Sequence, residues 1–161
     1  GRLLIVLYLQ AIGVLSEPTL TVSPWFESRR GEYYDNLLGV STQNRWDDYI
    51  RFFARGLQQA AESTRDEMIA LSKVQGALKE TIRQSPLRAD SAHALVDLAV
   101  ANPSFTVRKV QAGLGVSYGR ANKLVQQLVE LGVLEVFDAN AYKRRFFAPR
   151  VWEVLTSRGD S

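Results

Sequence analysis

Apolar residues recur along this chain mostly at helical spacing. The run Leu3-Leu4-Ile5-Val6-Leu7-Tyr8-Leu9 is apolar throughout and predicts a buried helix from the start to about Leu15, with Pro18 preventing its continuation. No Ser, Thr, Asp or Asn stands ahead of it to satisfy its first amides, so it reads as continuing from residues upstream of Gly1. Thr19 to Val22 reads as a short extended piece. Ser23 then suits an N-cap and Pro24 a first helical position, opening a helix from Trp25 to about Leu38 that Gly39 ends. Its apolar side holds Trp25, Phe26, Tyr33, Tyr34, Leu37 and Leu38, leaving Glu27, Arg29, Arg30 and Glu32 to water. From Trp46 to Gln84 there is no proline, and Ile50, Phe53, Leu57, Ala61, Thr64, Met68, Leu71, Leu78 and Ile82 form one stripe. That predicts a long helix, with the weakest points near residues 62–65 and at Gly76. Ser85-Pro86 stops it and places a domain boundary between residues 84 and 85.

After Asp90 the rhythm shortens. Helices are expected at 91–101, closed by Asn102-Pro103, at 107–114, started by Phe105-Thr106, and at 117–131, ended by Gly132. Val133 to Phe137 alternates as a strand, residues 138–144 form a polar turn, and residues 145–148 return as a second strand ended by Pro149. A short last helix is expected at 151–156. Three short helices followed by a hairpin is the winged helix-turn-helix plan, so the fold class is mainly α with one small hairpin. Val107, Val110 and Leu114 supply the core face of its second helix. Ala121, Leu124, Val125, Leu128 and Leu131 supply that of its third.

Composition narrows the chemistry. There are no cysteines and one histidine, His93, which excludes disulfides and thiolate metal sites and disfavours a histidine site. A net charge of +3 permits nucleic-acid contact without arguing for it. Arg2 and the apolar run after it have the outline of a signal peptide, but no Ala-x-Ala site follows, and the run is shorter than the ~20 residues a membrane span needs.

On the winged-helix plan, the third helix would present Ser117, Tyr118, Arg120, Asn122 and Lys123 to a major groove, with Lys143, Arg144 and Arg145 on the wing. Arg and Asn can pair bidentately with base edges, while Ser and Lys suit phosphates. Against this, residues 90–161 hold nine Lys/Arg and seven Asp/Glu, a thin surplus for a DNA module, and winged helices also pack on proteins.

The first half resembles the Fic family (filamentation induced by cAMP), mostly protein AMP-transferases. Its members carry His-x-Phe-x-Asp/Glu-Gly-Asn-Gly-Arg-x-Gly-Arg, followed by an apolar helix beginning Leu-Leu-Ile. Gly1-Arg2-Leu3-Leu4-Ile5 looks like the end of that signature. The landmarks that follow are similar to Fic proteins ending in a winged helix. They are Leu15-Ser16-Glu17-Pro18, Val22-Ser23-Pro24-Trp25-Phe26-Glu27, Glu32-Tyr33-Tyr34-Asp35-Asn36-Leu37-Leu38, Trp46, Phe52-Phe53 and Gly56-Leu57.

The resemblance implies a parent that moves AMP from ATP onto protein hydroxyls, with Mg bound by its motif. Gly1 and Arg2 would be the last nucleotide-handling residues, Arg2 pairing with the terminal phosphate. The motif histidine, the metal-holding acid and the Gly-Asn-Gly amides are not among these 161 residues, so this chain alone is expected not to transfer AMP. Tyr33, Tyr34 and Asn36 could border an adenine site, though core and surface roles are the commoner fate of such residues. Apolar surface left open on the first helix would drive a homodimer. A bacterial, cytoplasmic setting without membrane contact is implied. A winged-helix transcriptional regulator with a helical dimerisation domain is the competing reading, and a protein-interaction module the third.

Overall fold

The computed structural model describes residues 2–16, 19–87, 90–137 and 144–157. Among these are eight helices and one two-stranded antiparallel sheet, so the chain is mainly helical, as its periodicity predicts. It forms two compact units, Gly1–Asp66 and Glu67–Ser161.

In the first unit, α1 (Arg2–Ala11) is shorter than expected. It ends ahead of Gly13, whose φ of +77° is the left-handed conformation of a C-terminal cap, and the Val14 and Leu15 amides turn back to the Leu9 carbonyl. Pro18 lies outside the described residues. The helix expected at 25–38 is two: α2 (Ser23–Ser28) and α3 (Arg30–Gln43), broken at Arg29. Val22 rather than Ser23 occupies the N-cap position, and Pro24 lies in the first turn of α2. Gly39 does not end α3. The stop is Asn44, at φ 55°, where the Asn44 and Arg45 amides cap the carbonyls of Val40 and Gly39. Asn tolerates that conformation nearly as well as Gly, and a glycine inside a helix weakens it without breaking it.

The long helix α4 (Trp46–Gln84) runs without interruption. Its first part closes the core of the first unit, where Val6, Leu20, Val22, Phe26, Phe52 and Ala60 are buried. Trp25, Phe26, Tyr33, Phe52 and Phe53 interlock there, with ring centroids 5.0 Å apart for Trp25–Phe52 and 5.3 Å for Phe26–Phe53. The expectation of a buried first helix is corrected: of the described side chains of α1 only Val6 is fully buried, with Ile5 and Leu9 packed beside it.

The second unit includes the end of α4. Leu71, Val74, Leu78 and Ile82 share a core with everything after Asp90, so the packing divides the chain inside α4, not at its end. The helices are α5 (Asp90–Ala101), α6 (Val107–Leu114), α7 (Tyr118–Glu130) and α8 (Pro149–Thr156). Strand β1 (Glu135–Val136) pairs antiparallel with β2 (Phe146–Phe147), Glu135 opposite Phe147. Lys79 and Gln75 of α4 both reach the Asp97 carboxylate of α5.

Phe105 does not begin α6. It bridges Phe146, exchanging N–H···O bonds of 2.9 and 2.8 Å, and so adds an extended residue to the hairpin's second strand. Both rings are buried. The ladder is shorter than expected because Val133 and Leu134 leave it for the core, their amides returning to the Leu128 carbonyl.

Candidate nucleic-acid interface

The geometry of this surface begins with two caps. Thr106 is extended, and its hydroxyl accepts from the Lys109 amide, starting α6. Ser117 does the same for the Arg120 amide, starting α7. Between them Gly115, at φ +61°, closes α6 through a bond to the Gln111 carbonyl. Val116 then packs partly buried on the core. Two short helices joined by a three-residue turn follow from these local signals.

Ala121, Leu124, Val125 and Leu128 are buried, which fixes the rotation of α7. At its N-terminal end Ser117, Tyr118, Gly119, Arg120, Asn122 and Lys123 are all exposed, Tyr118 by 52%. The five candidates on α7 and its cap are therefore brought together in its first two turns. On the wing the outcome is split. Arg144 is exposed, and Lys143 lies outside the described residues. Arg145 is committed elsewhere: its Nε and Nη2 donate to the Ser104 hydroxyl (3.0 and 2.6 Å), and Nη2 also to the Ser104 carbonyl (3.2 Å). It ties the returning strand to the loop before α6, a use that residue type alone did not reveal.

Two cations escaped the sequence reading. Arg108 and Lys109 are exposed in the first turn of α6. The signal that marks them is an absence: residues 98–129 contain Arg108, Lys109, Arg120 and Lys123 and neither Asp nor Glu. The thin surplus counted over 90–161 hides this, because the acids sit outside that stretch. Arg108, Lys109, Arg120, Lys123 and Arg144 form no ion pair with a described carboxylate, whereas Lys79, Arg45 and Arg83 do. Exposed cations without a paired carboxylate add positive local potential, which falls off over a screening length of about 8–10 Å.

Of the candidates in the first unit, the Tyr33 and Tyr34 rings meet edge to face, centroids 5.8 Å apart. Gly1 lies outside the described residues, and Arg2 is described only as the backbone opening of α1. Tyr33 belongs to the aromatic core, 5.8 Å from Phe26. Burial and the neighbouring Tyr33 hold the Tyr49 phenol above its ordinary pKa. Tyr34 faces solvent, and the Asn36 side-chain amide donates to the Glu32 carbonyl at 2.8 Å. An open depression of about 510 Å³ lies at the α3–α4 turn, lined by Asn44, Arg45, Trp46, Asp47, Asp48 and Arg51. Arg45 and Asp48 pair across it at 2.8 Å. His93 is half-buried on α5, and no group of three or more His, Asp or Glu converges on a metal position among the described residues. No helix among the described residues is long and apolar enough to cross a membrane. No known family model matches this chain.

Proposed function

We propose that the chain is the C-terminal part of a Fic-type protein AMP-transferase, inactive alone, whose second unit is a winged helix-turn-helix that docks on duplex DNA. The Fic assignment rests on the order and spacing of its sequence landmarks. The DNA reading is carried by one observation: the exposed side of α7 and the start of α6 hold four unpaired cations in a stretch with no acid. The Phe105–Phe146 bridge supports the winged plan, since an extended residue between the first and second helices joins the hairpin there.

In this reading α7 enters the major groove by its N-terminal end. Arg120 and Asn122 read base edges, while Ser117, Lys123, Arg108 and Lys109 hold phosphates. Arg144 supplies charge at the wing, and Arg145 holds the wing in place through Ser104. Cofactors enter only through the parent, as ATP and Mg by resemblance.

The test is binding of the full chain to duplexes selected from a random-sequence library, followed by anisotropy at increasing salt. Affinity should fall steeply as salt rises, because each phosphate contact releases a counterion. Arg120→Ala and Asn122→Ala should each weaken the selected duplex by about tenfold or more, on the scale of ~1–3 kcal/mol per lost bidentate contact. A chain that selects no duplex even at low salt would sink the DNA reading and favour a protein-docking winged helix.

A further inference from the structure

The hairpin of the second unit has a short ladder. β1 and β2 pair over two residues each, and one further bond, from the Phe137 amide to the Arg145 carbonyl at 2.8 Å, extends it toward the turn. Its apolar side is fixed by burial, since Phe146 is 1% exposed and bridges Phe105. Arg145 lies one residue nearer the turn and is exposed, so the core does not hold its side chain. Ser104 holds it instead. The guanidinium donates to the Ser104 hydroxyl from Nε at 3.0 Å and from Nη2 at 2.6 Å, and Nη2 donates to the Ser104 carbonyl at 3.2 Å. These two residues are 41 apart in the chain.

Surface hydrogen bonds add little to folding stability, because water offers the same partners. What this fork adds is direction. Arg145 is held at both its backbone carbonyl and its guanidinium, which restrains the backbone of Arg144 beside it. Arg144 is exposed and pairs with no described carboxylate. The two neighbouring arginines thus divide their roles: one guanidinium bonds within the chain, and the other is left for a partner.

We infer that Ser104 is a positioning residue of the duplex interface, whose fork with Arg145 aims the wing so that Arg144 reaches a phosphate. The inference rests on the DNA reading above and deepens it. It gives the wing's phosphate contact to Arg144 and the placement of that contact to an uncharged residue on the loop before α6. Ser104 itself touches no nucleic acid in this arrangement.

The experiment uses the full chain, the duplex selected by the wild type and anisotropy over a salt series. Ser104→Ala changes no charge, yet it should bind about three- to tenfold more weakly, with a salt slope shallower by about 0.9, the share of one phosphate. Arg144→Ala should show the same loss and the same slope. Ser104→Ala combined with Arg144→Ala should bind no more weakly than Arg144→Ala alone, because both changes remove one contact. Arg145→Lys keeps the charge but not the planar fork, and should resemble Ser104→Ala. Ser104→Thr keeps the hydroxyl and should bind as wild type. Undiminished binding by Ser104→Ala would overturn the inference, as would losses that add in the double variant. A loss with an unchanged slope would give Ser104 a purely structural role and overturn it too. Each of these results leaves the DNA reading standing, whereas a wild type that selects no duplex removes both.

Discussion

Gly56 shows how much one missing methyl can decide. It is buried on α4 directly beneath Trp25 and Phe26, and its hydrogen is what lets those rings reach the helix. A Cβ at 2.7 Å from three ring carbons must push rigid aromatics that are already locked against Phe52 and Phe53. Overpacking of this kind costs about 1–3 kcal/mol, more than the ~1 kcal/mol a helix gains from Gly to Ala. Gly56→Ala should therefore lower the denaturant midpoint of the chain. An unchanged or raised midpoint in a urea titration would show that the ring cluster yields more easily than its packing indicates. Arg29 and Arg145 make the complementary point. The sequence leaves Arg29 to water and puts Arg145 on the wing, yet the Arg29 guanidinium lies 4.6 Å from the Trp25 ring centroid and Arg145 bonds to Ser104. Residue type announced the charge, and its use was set by a neighbour one helical turn away for Arg29 and 41 residues away for Arg145.

At the scale of elements, α1 is the least settled by its own contacts. Residues 3–16 carry no charge, and Leu4 and Tyr8 are 67% and 65% exposed, with Leu7, Ile12 and Val14 also open. Among the described side chains of α1, Val6 alone, at 5%, is buried. Apolar surface of this kind lowers its free energy by leaving water, so the chain is expected to associate, as a symmetric dimer if by itself. Light scattering over a dilution series should show mass above that of one chain, and Leu4→Glu with Tyr8→Glu should shift it toward monomer. A wild type that stays monomeric at high concentration would refute the expectation. Other elements were legible from local signals alone. The bounds of α4 and α6 match the periodicity and stop signals because caps and turns act within a few residues. The break between α2 and α3 was not, since no Pro or Gly marks Arg29. At Arg29 the backbone leaves helical geometry (φ −120°, ψ 35°).

At the scale of the whole molecule, the Fic reading has a consequence in chemistry. The motif histidine would be the general base and the Gly-Asn-Gly amides the phosphate cradle, and neither is in this sequence. On that reading the developing charge of AMP transfer would lack the groups expected to stabilise it. Incubation of the full chain with labelled ATP, Mg and a hydroxyl-bearing protein should leave label transfer at background. Transfer above background, abolished by mutating a residue of this chain, would falsify the assignment of catalysis to an absent segment.

The sequence by itself determined the helical class, the long α4, the two capped short helices with their glycine turn, and which residues of α7 are exposed. These depend on spacing, caps and burial periodicity, which are properties of a dozen residues at a time. Only the tertiary structure decided that Phe105 joins Phe146, that Arg145 is held by Ser104, that Gly56 must stay bare, and that the two units part inside α4. Each of those outcomes is a contact between segments far apart in the chain. Its energy comes from which partner arrives, and no local pattern records that.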